Sequence, residues 1–189
     1  MERKIKKTLR IIFKGLCEIV FPKNYTCIIC NNEISEDGLC IKCRNDIVPT
    51  LEEELCIGYY KGTLKELILK LKYKHDFNAG LILIDLLEEK LKNIGEDYYL
   101  TFIPIGKKSF RERGFNQCEY LAKEISFRIN IPIIDTLEKC RETKVQKTLN
   151  KEERKVNLIG AFKLKSNVDV KGKKLILIDD VITTGATVK

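Results

Sequence analysis

The fold is decided by one stretch of the sequence, Leu175-Ile176-Leu177-Ile178-Asp179-Asp180-Val181-Ile182-Thr183-Thr184-Gly185-Ala186-Thr187. Its first four side chains are aliphatic without a polar break, as in a parallel strand that is covered on both faces. The strand runs directly into two acids and then into small and hydroxylated residues. Ligands of open parallel sheets collect at the carboxyl ends of strands. The stretch therefore predicts a buried strand, a binding loop and the start of a helix.

The loop at 183–187 has the composition of an anion site. Small residues allow backbone N–H groups to curl around an anion, threonine hydroxyls donate further bonds, and a helix start adds its positive end. The two acids before the loop, Asp179 and Asp180, cannot bind the anion themselves. They are placed to accept hydrogen bonds from sugar hydroxyls, or to help hold Mg²⁺ through water. Together these features predict a site for a phosphorylated ligand that presents sugar hydroxyls or Mg²⁺ to the acids.

Length and composition limit the class of protein. The chain has 189 residues and 44% hydrophobic content, enough for one packed domain with a small appendage. Its formal net charge of +8 favours anionic partners, without choosing among phosphate, nucleotide and nucleic acid. No stretch approaches the roughly 20 apolar residues of a membrane-spanning helix. The sequence therefore predicts no transmembrane segment.

Residues 1–24 are predicted to form a basic amphipathic helix. The apolar positions at helical spacing are Ile5, Leu9, Ile12, Leu16 and Ile19, with lysines and an arginine among them. Such a helix packs on the protein's own surface or, as the alternative, anchors it to a membrane or partner. The expected location is the cytoplasm, with peripheral attachment at the inner membrane face as the alternative.

Residues 25–48 are predicted to form a four-cysteine zinc ribbon. The proposed ligands are two C-x-x-C knuckles, Cys27, Cys30, Cys40 and Cys43. The two-residue gap lets both thiolates of a knuckle reach one ion, and two knuckles complete a tetrahedral Zn²⁺ site. Four thiolates leave no open position, so the metal is expected to be structural. A redox pair is the competing interpretation of a single C-x-x-C. The other four cysteines are scattered, which favours a reducing compartment over a disulfide framework.

The body of the chain, 51–189, alternates helical and strand patterns. Strands are predicted at 56–60, 100–105, 131–136 and 174–178, and helices at 64–71, 81–91 and 115–129. Alternation of this kind predicts an α/β domain with a parallel sheet and helices on both faces. The nearest feature to a domain boundary is 46–54, just after the last clustered cysteine.

Several segments carry a family resemblance. Residues 179–187 look like the 5-phosphoribosyl-1-pyrophosphate signature of type I phosphoribosyltransferases. Arg111-Glu112-Arg113-Gly114-Phe115-Asn116-Gln117 resembles a motif of the competence protein ComF family. Further matches begin at Arg141 and at Arg154, and a four-cysteine ribbon before the domain is that family's arrangement. The chain is thus similar to ComF proteins from the ribbon to its last residue.

The resemblance implies a type I phosphoribosyltransferase-like fold that binds phosphoribosyl pyrophosphate, with Mg²⁺ if it is active. Asp179 and Asp180 would face the sugar. The residues expected around the 5′-phosphate are Thr183, Thr184, Gly185, Ala186 and Thr187, and those expected near the pyrophosphate are Lys107, Lys108, Arg111 and Arg113. Residues 143–157 would form a mobile cover. The alternative for each of the four cations is a solvated basic loop.

Two hypotheses of function follow from the resemblance. The first is an enzyme in which a nitrogen nucleophile displaces pyrophosphate at the anomeric carbon; no catalytic residue is assigned, and the lone His75 is interpreted as incidental. The second is a non-catalytic protein of natural transformation that senses the ligand or handles single-stranded DNA with other competence proteins. The sequence contains no tryptophan, which counts against strong single-strand binding by stacking.

The chain departs from the family pattern after the phosphate loop. It reaches Lys189 in the first turn of the following helix, whereas family members usually continue through that helix and a further strand. We therefore expect a C-terminally incomplete domain, in which the helix dipole contributes less to anion binding. An inactive truncated copy is the corresponding alternative, and phosphoribosyl pyrophosphate would then raise the melting temperature little.

Overall fold

The computed structural model describes residues 25–34, 38–51, 55–95, 97–141 and 160–182. Three predictions lie outside these residues: the amphipathic helix at 1–24, the cover at 143–157 and the phosphate loop at 183–187. Contacts divide the chain into two compact units, Met1–Asn45 and Asp46–Lys189. Within the described residues, no helix is both long enough and apolar enough to cross a membrane.

The first unit is small and is built around its cysteines. An antiparallel bridge joins Thr26 to Glu33, and the turn between them contains the first knuckle. The second knuckle leads into helix α1, Ile41–Asn45. Cys27 and Cys43 are buried, whereas most other described side chains of the unit are partly or fully exposed. Among the described residues of this unit, few apolar side chains are therefore buried.

The second unit begins with two packed helices, α2 (Gly62–Lys74) and α3 (Phe77–Leu91). The N–H of Thr63 donates to Asp46 Oδ2 at 2.7 Å, which satisfies one free donor of the first turn of α2. Helix α2 ends at His75, whose left-handed backbone (φ 53°) reverses the chain. Asp76 then caps α3 by accepting from the next two free N–H groups.

The sheet is small and parallel. Strand β1 (Tyr98–Phe102) is followed by α4 (Lys107–Arg113) and α5 (Gln117–Ile129), and the last described strand, β4, is Lys174–Ile178. Strands β1 and β4 pair in parallel, with Leu100 opposite Ile176. On its other edge, Leu100 forms a parallel bridge with Ile133. Strand β1 thus lies between β4 and the segment around residue 133, with α5 as the crossover.

A second, antiparallel sheet contains β2 (Leu137–Lys139) and β3 (Phe162–Leu164). The N–H of Cys140 donates to the carbonyl of Ala161 at 2.8 Å, so the hairpin stays paired up to the last described residues before 142. The predicted mixed α/β class with a small parallel sheet is confirmed. The phosphoribosyltransferase topology remains a prediction.

The core lies where α5 packs against β1 and β4 on one side and against α3 on another. Its fully buried side chains include Leu67, Leu71, Leu83, Ile84, Leu100 and Ile125. A Cβ on Gly80 of α3 would lie 2.7 Å from the Tyr120 ring, so this glycine permits the close approach of α3 and α5. Packing at this point therefore holds α5 close to α3.

Two of the predicted elements were wrong. Residues 56–60 form bends and no strand, because Gly58 lies against the carbonyl of Val48, where a Cβ would be 2.5 Å from the oxygen. The N–H of Lys61 then turns back to the carbonyl of Tyr59 at 2.7 Å. The predicted strand at 131–136 is divided, with a bridge at Ile133 and a separate strand from residue 137.

Candidate functional site

The four clustered cysteines converge as a metal site requires. Their Sγ atoms all lie within 4.8 Å of one another, and Cys30 Sγ is 3.6 Å from Cys40 Sγ. Tetrahedral Zn–S bonds of about 2.3 Å place sulfurs about 3.8 Å apart, so the arrangement fits one Zn²⁺. The N–H of Cys43 points at Cys40 Sγ at 3.4 Å, a contact that supports the thiolate form.

The backbone around the ribbon favours ionised sulfur at one ligand. Burial opposes ionisation of Cys27, but backbone hydrogen bonds from Cys30, Cys40 and Ile29 lower its pKa to about 6. Burial among the other sulfurs raises the pKa of Cys43 to about 12. A bound cation would remove that difference, because metal coordination deprotonates a thiol. With four sulfur ligands such a metal would hold the fold and leave no open position for chemistry.

In the second unit, Asp179 and Asp180 lie at the carboxyl end of β4, as predicted. The N–H of Ile103 donates to the carbonyl of Ile178 at 3.1 Å, so the sheet pairing extends to the residue before the acids. Asp179 Oδ1 accepts from the N–H of Asp180 at 2.8 Å, and Cys118 Sγ lies 3.9 Å from the same oxygen. The three side chains form the second cluster of potential metal ligands among the described residues.

The environment of Asp179 disfavours its charge. Burial, and next the neighbouring charge of Asp180, raise the pKa of Asp179 to about 7. Burial and the two carboxylates also raise the pKa of the Cys118 thiol well above its usual range. Cys118 is therefore a neutral thiol that packs against the acids.

Asp180 is held by two donors that the sequence analysis did not identify as site residues. Lys72 Nζ of α2 forms a short ion pair with Asp180 Oδ2, and Gln117 Nε2 donates to the same oxygen at 3.0 Å. Gln117 is the last residue of the ComF-like motif at 111–117, and this motif was a signal that could have identified it as a site residue. No spacing rule connects Lys72 with Asp180, since they are separated by 108 positions.

The four predicted pyrophosphate cations are divided among different places on α4. Arg113 Nη1 donates to Gln117 Oε1 at 3.1 Å, and its guanidinium lies 5.2 Å from the centre of the Tyr73 ring. Lys107 lines a pocket described below, whereas Lys108 and Arg111 are exposed on the helix surface. The basic segment is thus helical rather than a loop. Their contact with pyrophosphate stays a prediction.

His75, predicted to be incidental, has partners in the fold. Its Nε2 lies 2.7 Å from the carbonyl oxygen of Arg113, and its ring lies 5.7 Å from the ring of Phe115. Phe115 in turn contacts Phe77 at 5.3 Å between ring centres. The histidine therefore ties the end of α2 to the end of α4, a structural contact beside the acids.

A pocket of about 440 Å³ opens at the carboxyl end of β1, and neither Asp179 nor Asp180 lines it. It is lined by the residues after β1 and by the base of the β2–β3 hairpin, including Lys107, Phe110, Leu137 and Arg141. Buried Asn116 also lines it: the side chain donates to the carbonyl of Ile103 at 2.9 Å and accepts from the N–H of Cys118 at 3.0 Å. Asn116 therefore fixes the start of α5 between the pocket and the acid pair.

These features define a class: an α/β protein with a paired-carboxylate site at the end of one strand and a polar pocket at the end of the neighbouring strand, joined to a four-cysteine ribbon. Competence protein F of Haemophilus influenzae is 28% identical over 200 residues, 87% of this chain and 87% of that protein. Competence protein ComFC of Streptococcus pneumoniae is 35% identical to this chain over 129 residues. DNA utilization protein YhgH of Escherichia coli is 26% identical over 147 residues. The chain belongs to the ComF family.

Coverage differs among these relatives. The match to the Streptococcus protein covers 68% of this chain and 55% of that protein. The match to the Escherichia protein covers 74% of this chain and 64% of that protein. The chain thus spans little more than half to about two thirds of these two relatives. No protein-family model matches the chain, and no solved structure matches it.

Proposed function

We propose that this protein serves DNA uptake in natural competence and binds phosphoribosyl pyrophosphate at the carboxyl end of β4. The observation that carries the ligand is the acid pair Asp179–Asp180 at the strand end, followed in sequence by 183–187. The role in uptake is supported by relatives named for competence and for DNA utilization. We place its action in the cytoplasm, with the ribbon holding a structural Zn²⁺.

In this proposal the two ends of the ligand bind at different places along the carboxyl edge of the parallel sheet. Asp179 and Asp180 accept hydrogen bonds from ribose hydroxyls, and 183–187 hold the 5′-phosphate. The pyrophosphate faces the pocket that Lys107 lines, with Lys108 and Arg111 on the same helix. Mg²⁺ would supply further positive charge to the pyrophosphate oxygens.

If the domain turns over, a nitrogen nucleophile displaces pyrophosphate from the anomeric carbon. Cations stabilise the leaving group, and the carboxylates stabilise positive charge that develops on the sugar. Sensing of the same ligand without turnover is the alternative. Handling of single-stranded DNA is a second candidate, supported by the relatives' names and by the +8 charge. Pyrophosphate release with candidate bases distinguishes turnover from sensing.

The binding site is tested by calorimetry with Mg²⁺ and phosphoribosyl pyrophosphate. Asp179→Asn keeps the size of the side chain and removes its charge, so we expect affinity to fall at least about tenfold. Glu66→Gln, at an exposed position of α2, is the matched control and should bind phosphoribosyl pyrophosphate with the affinity of the parent. Equal affinity of the parent and Asp179→Asn would contradict the assignment of the acids to the sugar.

The role in uptake needs separate measurements. We expect the transformation frequency of the source cell to fall when the gene is deleted and to recover on complementation. Salt-sensitive binding of single-stranded DNA that is unchanged by Asp179→Asn would place DNA on another surface. Unchanged transformation after deletion would overturn the uptake role while leaving the ligand site open to the calorimetric test.

A further inference from the structure

We propose that Lys72 and Gln117 are positioning residues, which hold Asp180 in the orientation that receives the sugar hydroxyls. The inference rests on the proposed phosphoribosyl site and adds to it a support drawn from two helices. Both donors bind Asp180 Oδ2, and the other carboxylate oxygen, Oδ1, takes part in neither of these two bonds. Neither Lys72 nor Gln117 needs to touch the ligand in this arrangement.

The ion pair is largely withdrawn from water. The side chains of Lys72 and Asp180 are 20% and 13% exposed. Removing one member of such a pair leaves the other charge buried without compensation, which is costly in free energy. Lys72 also lies in the last turn of α2, where the helix dipole favours a cation. The position of the ammonium is therefore supported by its own helix and by the carboxylate.

The amide of Gln117 has only one orientation that satisfies both of its neighbours. Arg113 can only donate, so the amide oxygen must face its guanidinium, at 3.1 Å. The amide nitrogen then faces Asp180 Oδ2, which accepts. Gln117 is buried at the first position of α5, and its neighbour Asn116 caps that helix. The chain of hydrogen bonds from Arg113 through Gln117 to the accepting carboxylate of Asp180 thus has a fixed direction.

Lys72 also reduces the net negative charge of the acid pair, which favours an anionic ligand. Two adjacent carboxylates would repel a phosphorylated sugar, and the ammonium beside Asp180 compensates one of them. The remaining task of the acids is to accept hydrogen bonds at defined positions. A carboxylate that is fixed by two donors loses less conformational freedom when the ligand binds. We therefore expect Lys72 to act on the affinity for the sugar through Asp180.

The test uses the full chain and measures the Kd of phosphoribosyl pyrophosphate with Mg²⁺ and, separately, of inorganic phosphate. Lys72→Met should weaken phosphoribosyl pyrophosphate about tenfold and leave phosphate within about twofold of the parent. Lys72→Arg keeps the charge and should recover part of the loss. Lys70→Met is the matched control, because Lys70 lies on the same helix but faces Asp76 at 3.9 Å.

A double variant separates positioning from a general loss of folding. Lys72→Met with Asp180→Asn restores neutrality, so it should fold, and it should bind no more weakly than Asp180→Asn alone. Additive losses, or equal losses for both ligands, would overturn the inference and indicate a direct or a purely structural role. Full affinity of Lys72→Met would also overturn it and leave the proposed function intact. Failure of the parent to bind phosphoribosyl pyrophosphate would refute the proposed function itself.

Discussion

Replacing Asp179 by asparagine should make the stability of the second unit less dependent on pH. Burial and the charge of Asp180 raise the pKa of Asp179 from 3.8 to about 7 in the folded protein. A raised pKa means that folding favours the protonated acid, so its contribution is fully present below pH 3.8 and is lost as the pH rises through about 7. Asparagine stays neutral throughout and can still accept from the N–H of Asp180.

The expected magnitude follows from the two pKa values. At about 1.4 kcal/mol per pH unit, the stabilisation of Asp179→Asn relative to the parent should grow by about 2–3 kcal/mol between pH 5 and pH 8. Urea unfolding at the two pH values, followed by circular dichroism, measures the difference in free energy of unfolding.

Glu66→Gln, at an exposed position of α2, serves as the control for the loss of one carboxylate. The reasoning would be refuted if the advantage of Asp179→Asn were equal at pH 5 and pH 8. It would also be refuted if the advantage were larger at pH 5, because this would require a lowered pKa in the folded protein.

Three further perturbations have defined outcomes. Chelation of the ribbon metal should make residues up to Asn45 sensitive to protease while the second unit stays resistant, because the described residues of the first unit bury few apolar side chains and coordination would supply its folding energy; retained protection would contradict this. Asn116→Ala removes a helix cap and a buried partner of Ile103, and should lower the free energy of unfolding by about 1–2 kcal/mol in urea titrations. Gly58→Ala places a methyl group 2.5 Å from the carbonyl oxygen of Val48, so its thermal midpoint should fall by several degrees, and an unchanged midpoint would argue against this packing.

The features of the fold that the sequence predicted correctly are set by residues close to one another in the chain. The two C-x-x-C knuckles converge because each gap is short, and the aliphatic run before Asp179 is the strand that it was predicted to be. The helix predicted at 115–129 begins at Gln117, because the side chain of Asn116 caps it. In each case the signal and the structure lie within one short segment of the chain.

The features that escaped prediction depend on contacts with other segments of the chain or belong to elements too short for a periodic signal. Tyr59 and Tyr60 have the composition of a strand, but Gly58 packs on Val48 and turns the chain. The basic segment at 107–113 forms a short helix between Gly106 and Gly114, whose left-handed φ of 71° ends it. Periodicity cannot identify so short a helix. The position of Lys72 beside Asp180 follows only from how α2 packs in the folded unit.

The pairing of β1 with β4 also has a consequence for how the protein folds. Lys72 and Asp180 are 108 positions apart, so the carboxylate support forms only after a large loop has closed. Contacts of such sequence separation slow folding, and during synthesis β1 is present before its partner strand β4. We expect docking of β4 to be the slow step of refolding. Recovery of ligand binding should then follow the slowest kinetic phase, after most of the helical signal has returned.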